Sequence, residues 1–254
     1  MLPIDLTGKI CVVTGGGGQL GRVMVRTLAD CGADVAIHYL TSKEQAEKLR
    51  TEVQAMGRRA ITVQADVTKR DDVNKMRDAV SKGLGEADVI VNNAVIQYKW
   101  VSVLEQGLED YEGQFRSCVL HNVLMAKAFV PGMIKKGRGR VIGINTECTM
   151  QCHPSQSAYI AGKAGMDRVL RVLAKEVGQH QITVNQVAPG WTISDRDRAA
   201  GTEVNEAHSR NIPLKRRGTD QELANVVAFL ASDLASYVTG AFIPVCGGNV
   251  MPTI

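Results

Sequence analysis

The chain has no run of about twenty uncharged apolar residues. Its start, MLPIDLTGKICVVTG, lacks both the basic opening and the small-residue cleavage site of an export signal. The expectation is a cytoplasmic protein with no membrane partner. No CxxC pair occurs: Cys11, Cys31, Cys118, Cys148, Cys152 and Cys246 are scattered, several inside apolar segments where a free thiol behaves as a small hydrophobe. Cys148, Cys152 and His153 come closest to metal-ligand spacing, and no metal site is expected from them. The basic clusters 135–140 (KKGRGR) and 215–217 (KRR) carry no interleaved aromatics, the stacking platforms that a nucleic-acid partner would use, so nucleic acid is excluded as the expected partner. What these clusters could still do is attract an acidic substrate carrier. No Pro/Ser-rich linker, repeat or low-complexity tract breaks the chain, and residues 1–254 read as a single domain.

What is present is a rhythm. Short β-branched apolar runs at 9–15, 33–39, 60–66, 87–94, 139–145, 181–190 and 241–248 alternate with amphipathic segments at 19–30, 42–56, 70–82, 108–136, 157–178 and 219–232. Strands that are apolar on both faces, with helices between them, predict an α/β fold: a doubly wound parallel sheet of about seven strands with helices on both faces. The least regular region, 191–213, is polar and follows a strand end. Ligands in such sheets bind beyond the carboxyl ends of the strands, which makes 191–213 a candidate substrate lid.

Strand KICVVT runs directly into GGGGQLG, and a helix opens there. Gly16, Gly18 and Gly21 satisfy GxGxxG, in which glycine lets the backbone turn tightly and approach a pyrophosphate held at a helix N-terminus. A turn that serves only close strand–helix packing is the alternative. The end of the second strand, Tyr39-Leu40-Thr41-Ser42-Lys43, offers no acidic residue for a ribose 2′-hydroxyl, and Tyr39, Thr41 and Ser42 are candidate cofactor contacts there. That absence favours NADP(H) over NAD(H). Further along, Tyr159 and Lys163 are four residues apart on one predicted helix, so phenol and ammonium share a face, an arrangement expected to lower the tyrosine pKa for proton exchange.

Thr14-Gly15 through Gly21, Asp66-Val67, Asn92-Asn93-Ala94, Asn122, Tyr159 to Lys163 and Pro189-Gly190 occur in an order and spacing that resembles the short-chain dehydrogenase/reductase superfamily over nearly the full length. The tail from IPLKRRG to PVCGG is similar to the 3-oxoacyl-carrier-protein reductase branch. The resemblance implies a Rossmann-type fold and an NAD(P)(H)-dependent oxidoreductase that interconverts a carbonyl and a secondary alcohol. It implies Tyr159 as general acid/base, Lys163 on the nicotinamide ribose, Thr146 at the position of the family serine, and Asn122 as a residue that kinks its helix and anchors a proton-relay water. Asp66 and Val67 are implied at the adenine, Asn93 and Ala94 at the adenosine ribose, Pro189, Gly190 and Thr192 at the nicotinamide, and Ser194 near the pyrophosphate. In the family register Gly15, Gly18, Leu20 and Gly21 form the phosphate turn, and Gln19 stands where a glycine is usual, its amide a candidate donor to a phosphate oxygen. Val95 replaces the glycine of NNAG, and Cys246 stands where many relatives have aspartate. The family also implies a homotetramer paired through 108–136 and 157–178, and its reductase branch implies acyl carrier protein as a partner. A 3-oxoacyl thioester and a sugar, steroid or cyclic alcohol both remain open as substrates, as does a catalytically impaired dinucleotide sensor.

Overall fold

The computed structural model describes residues 4–252. Its element order is β1 (Ile10–Val13), α1 (Gln19–Asp30), β2 (Asp34–Tyr39), α2 (Lys43–Ala55), β3 (Ala60–Gln64), α3 (Arg70–Gly83), β4 (Val89–Asn92), α4 (Leu108–Gln114), a π-helical turn (Phe115–Leu120), α5 (His121–Lys136), β5 (Gly139–Ile144), α6 (Cys148–Gln151), α7 (Ser157–Val177), β6 (Ile182–Pro189), α8 (Asp195–Ala200), α9 (Glu206–Ser209), α10 (Asp220–Ala231) and β7 (Phe242–Val245). All seven strands are parallel, in the order β3-β2-β1-β4-β5-β6-β7. The order reverses between β1 and β4, and the crevice outside their carboxyl ends is where such sheets bind ligands.

Strands β1, β4 and β5 are buried along their whole length, which is why they read as continuous apolar runs rather than alternating ones. On one face of the sheet, Met24, Leu28, Leu49, Leu223, Val227 and Leu230 pack against Val13, Ile37 and Ile142. On the other face, Val73, Met76, Met125, Met133, Met166 and Leu170 pack against Val12, Ile90 and Val184. A full Leu or Ile burial contributes roughly 1.5–3 kcal/mol, so these two layers dominate the stability.

Two features differ in detail from the sequence expectation. The segment 108–136 is one helical run, and the distortion implied at Asn122 takes the form of a π turn at Phe115–Leu120, where the ladder widens. By length and composition this run could cross a membrane, yet more than half of its apolar stretch is buried within the protein. The second difference lies in 191–213, which contains α8 and α9 and is fastened at its start. Arg217, 3% exposed, donates to the carbonyls of Trp191, Thr192 and Thr202, pairs with Asp197 at 2.8 Å and lies 4.3 Å over the Trp191 ring. Arg22 of α1 pairs with Asp195, tying the same segment to the glycine turn.

The basic clusters are largely consumed by such pairing. Lys136 and Arg138 both reach Asp88, Arg140 reaches Asp233 at 3.0 Å, and Arg216 clasps Glu222. A field that would draw an acidic carrier is correspondingly weakened.

Candidate active site

The glycine turn is built from β1 outward. Gly15 takes a φ of +64°, and its N–H donates to Nδ1 of His38 at 2.9 Å, while the Gly16 N–H donates to the His38 carbonyl at 2.8 Å. A side chain at Gly21 would collide with the backbone of Gly15 and come within 2.8 Å of Gly16 Cα; one at Gly17 would meet Ser42 Oγ at 2.6 Å. Asn93 locks the turn from β4, its amide donating to the carbonyls of Thr14 and Gly15 at 3.0 and 3.3 Å. Thr14 Oγ1 accepts the N–H groups of Asn93 and Ala94 at 2.8 and 3.1 Å. The two sequence motifs at 14–15 and 92–94 are therefore the two halves of one hydrogen-bonded joint.

This turn forms one wall of a cavity of about 580 Å³, lined further by Gly18, Gln19, Leu20, Thr41 and Ser42, and on the far side by Asp66, Val67, Ala94 and Val95. Burial raises the Asp66 carboxyl, but hydrogen bonds from Thr68 and the ammonium of Lys69 outweigh it and hold the group below its ordinary value. Tyr39 is a correction: its side chain is 6% exposed and belongs to the apolar layer with Ala46, Leu49 and Val53, away from the cavity. Side chains alternate along β2, so the residue that faces the cavity is His38.

Sequence reasoning missed His38. Its Nε2 sits 2.9 Å from the Ala65 carbonyl and must carry the proton there, leaving Nδ1 to accept from Gly15. Burial pushes its pKa below the ordinary 6.5, and burial takes His121 down to about 3. Well above pH 6.5 both imidazoles are neutral in folded and unfolded chains alike. As the pH falls below 6.5, the unfolded chain takes up protons that the folded chain refuses, so stability drops by up to about 1.4 kcal/mol per pH unit for each group. A His38→Gln variant keeps an acceptor for Gly15 but does not titrate. Thermal midpoints measured from neutral pH to about pH 5 should fall less steeply for it than for the native protein; equal slopes would remove His38 from this account.

A second cavity, of about 810 Å³, adjoins the first; Gln19 and Leu20 line both. The Gln19 amide donates to the Ile193 carbonyl at 3.1 Å, so one of its two N–H groups fastens the start of the 191–213 segment. Thr146, Tyr159, Pro189, Gly190, Thr192 and Ser194 line this larger cavity. Ser194 also caps α8, its hydroxyl shared with Asp197 in a capping box. Two strands deliver most of this set: Thr146 follows β5, and Gly190 and Thr192 follow β6, while Ala94 of the first cavity follows β4.

Tyr159 occupies the first turn of α7. Its N–H, one of the donors a helix start leaves unpaired, gives a 2.6 Å bond to the Tyr98 hydroxyl, and its ring stacks against Trp100 with centroids 5.8 Å apart. Lys163, one turn on, is 4% exposed, donates to the Ile144 carbonyl at 2.6 Å and lies 5.8 Å from the Tyr159 ring centroid. The lowered tyrosine pKa expected from their spacing does not hold in this state. Burial pushes the phenol well above its ordinary value, against a hydrogen bond with Thr146, and burial pushes the Lys163 ammonium down. Burial disfavours both charges, so each group rests nearer its neutral form.

Asn122 is buried beneath this site. Its amide donates to the Cys118 carbonyl at 2.7 Å, a group inside the π turn, and its Oδ1 accepts from Asn92 at 2.8 Å. The asparagine thus holds the distorted turn against β4. Glu147 was also missed by sequence reasoning: it follows Thr146, is 4% exposed, and lines the larger cavity. Burial pushes its carboxyl above the ordinary value, against hydrogen bonds from Asn249 and Cys246.

Comparison with known proteins agrees with this geometry. The family model described as enoyl-(acyl carrier protein) reductase matches residues 18–249. The chain belongs to the short-chain dehydrogenase/reductase family. A 3-oxoacyl-[acyl-carrier-protein] reductase of Staphylococcus epidermidis is 36% identical over 253 residues, which covers 96% of this chain and 99% of the relative. Among solved structures, a blue fluorescent protein from a metagenomic library in complex with NADPH superposes with a TM-score of 0.89 at 34% identity, covering 97% of this chain and 100% of its own. A gluconate 5-dehydrogenase from Burkholderia cenocepacia in complex with NADP and tartrate gives a TM-score of 0.88 at 26% identity, with 97% of each chain covered. As a member of the short-chain dehydrogenase/reductase family, the protein is an NAD(P)-dependent oxidoreductase acting on CH–OH groups.

Proposed function

We propose that the protein is an NADP(H)-dependent carbonyl reductase and secondary-alcohol dehydrogenase with Tyr159 as its acid. The observation that carries this reading is the continuity of the two cavities through Gln19 and Leu20: the glycine turn would hold the phosphates of a dinucleotide laid along them, and Thr146 and Tyr159 would meet its far end. The residues fit such a group. Any Cβ at Gly21 would fill the turn, and the helix N-terminus offers unpaired N–H groups to an anion. When bound, the cofactor supplies or takes up the hydride.

The chain's own contributions are positional and protonic. Gly18 and the start of α1 receive the pyrophosphate, Asp66 and Val67 the adenine, Asn93 and Ala94 the adenosine ribose, and Pro189, Gly190 and Thr192 the nicotinamide. The Thr146 hydroxyl donates to the substrate oxygen, and the Tyr159 hydroxyl gives that oxygen its proton in reduction or removes it in oxidation. Lys163 orients the nicotinamide ribose, and its charge offsets that of the phenolate left behind. Asn122 acts on the site through the π turn. The chain works as one domain with 191–213 as a lid, assembled as a homotetramer through α4 to α5 and α7.

The preference for NADP(H) rests on the end of β2, where Leu40, Thr41 and Ser42 face the cavity and bring no carboxylate, with Lys43 exposed next to them. Phosphate at the 2′ position meets hydroxyls and an ammonium there instead of a negative charge. NADPH should bind about tenfold more tightly than NADH in a fluorescence titration; tighter NADH binding would overturn the assignment. The name of the Staphylococcus epidermidis relative suggests a 3-oxoacyl thioester on acyl carrier protein as substrate, whereas the pairing of the basic clusters and the polar wall of the larger cavity favour a hydroxylated one.

A further inference from the structure

One group in the larger cavity has no part in the hydride chemistry. Glu147 forms no ion pair with lysine or arginine among the described residues. Its backbone N–H donates to the Pro189 carbonyl at 3.1 Å, and its Oε2 accepts from Asn249 Nδ2 at 3.1 Å. A Cβ on Gly190 would lie 3.1 Å from that same oxygen, so the carboxyl is pressed against the loop that follows β6, one residue along from Thr146. Burying a carboxyl in a cavity wall without a cation is costly unless hydrogen bonds offset it.

The rest of the wall is rich in groups that both donate and accept. Gln97, Gln156 and Asn211 line it, and among the described residues Gln156 Oε1 and His208 Nε2 are buried with no hydrogen-bond partner in the chain. Buried polar atoms are nearly always paired, so this is capacity left for a ligand. Trp100 and Trp191 add two apolar ring surfaces. An alkyl chain would leave Gln156 Oε1 and His208 Nε2 unmet, while an ammonium would meet acceptors alone and take nothing from the exposed amide N–H groups of Gln97 and Asn211. Hydroxyl groups donate and accept at once and meet both needs.

We propose that Glu147 and Asn249 form a hydroxyl-recognising pair beside the reacting oxygen, and that the substrate is a compact polyol or polyhydroxylated ketone with a hydroxyl on the carbon next to the one oxidised or reduced. This substrate class rests on the carbonyl-reductase reading above. The pairing of the basic clusters with Asp88, Asp233 and Glu222 points the same way, since a carrier-borne substrate would need them free.

The matched probes are propylene glycol and isopropanol, which differ by one hydroxyl, oxidised with NADP⁺. The native enzyme should prefer the diol in kcat/KM by about tenfold or more, and Glu147→Ala and Asn249→Ala should each bring the ratio close to unity, mainly through KM for the diol. NADPH binding measured alongside checks that each variant is folded, with the isosteric Glu147→Gln as the replacement if one is not. Equal values for the two alcohols in the native enzyme, or a preference that survives Glu147→Ala, would overturn the pair. A second readout needs no turnover: calorimetric binding of xylitol to the NADP⁺-loaded Tyr159→Phe protein, with and without Glu147→Ala. If neither alcohol reacts, xylitol binding that depends on Glu147 upholds the pair, no xylitol binding overturns it, and the reductase reading is decided separately by NADPH consumption over a ketone panel.

Discussion

Tyr159→Phe should lower turnover with any carbonyl substrate by about a hundred- to ten-thousandfold, the range that a positioned proton donor contributes, and leave NADPH affinity within about twofold of native. The reason is geometric. Phenylalanine keeps the ring that stacks on Trp100 and keeps the backbone N–H bonded to Tyr98, so the first turn of α7 stays in place. Only the hydroxyl is lost, and with it the proton that must reach the oxygen as hydride reaches carbon. Because burial holds the phenol in its neutral form, it arrives already protonated for reduction. In the oxidative direction the same burial works against proton removal, and rates should climb with pH. Steady-state rates with parallel cofactor titration check this; residual activity near the native level in the variant would move the acid to another residue.

Gly21→Ala should cost about ten- to a hundredfold in NADPH affinity. The new methyl would run into the Gly15 carbonyl and approach Gly16 Cα, and neither can retreat: Gly15 sits at a φ of +64°, its carbonyl accepts from Gly18 and Asn93, and its N–H is bonded to His38. The start of α1 must therefore tilt off the turn, at the roughly 1–3 kcal/mol typical of overpacking, and its N–H groups no longer aim into the cavity. Gly178→Ala is the control. It lies in open space at the end of α7 with a φ of −55°, so its affinity should match the native protein. Equal affinities for both variants would mean that the turn is only a packing device.

The central strands were legible because β1, β4 and β5 are buried on both faces and so appear as uninterrupted apolar runs, and the half-buried edge strands β3 and β7 showed as shorter β-branched runs between amphipathic segments. The glycine turn, Asp66, Asn93, Thr146 and Gly190 were legible because they follow the carboxyl ends of strands, where the chain must leave the sheet, and Tyr159 and Lys163 because four residues put them on one face of α7. What escaped depended on three-dimensional partners. His38 and Tyr39 are adjacent, and only the pleat of β2 decides that the histidine faces the cavity and the tyrosine the core. The kink at Asn122 was implied by the resemblance, but its form as a π turn has no local signature, because Asn122 is bonded to Cys118 within the turn and to Asn92 of β4. Arg217 looked like part of a basic patch, yet it is a buried clasp for 191–202, a role set by carbonyls up to 26 residues away. Glu147 had no pattern to announce it beyond its place after Thr146. Lowering of the tyrosine pKa by the lysine, inferred from spacing alone, ignored the desolvation that both groups share.

The most direct test of hydride transfer at Tyr159 is NADPH consumption by the purified protein over a panel of hydroxyketones and simple ketones, with the alcohol product quantified. The account predicts one alcohol formed for each NADPH consumed with at least one of them, and a loss of that rate in Tyr159→Phe. Saturable NADPH binding with no consumption by any carbonyl would contradict it and leave a dinucleotide-binding protein without catalysis.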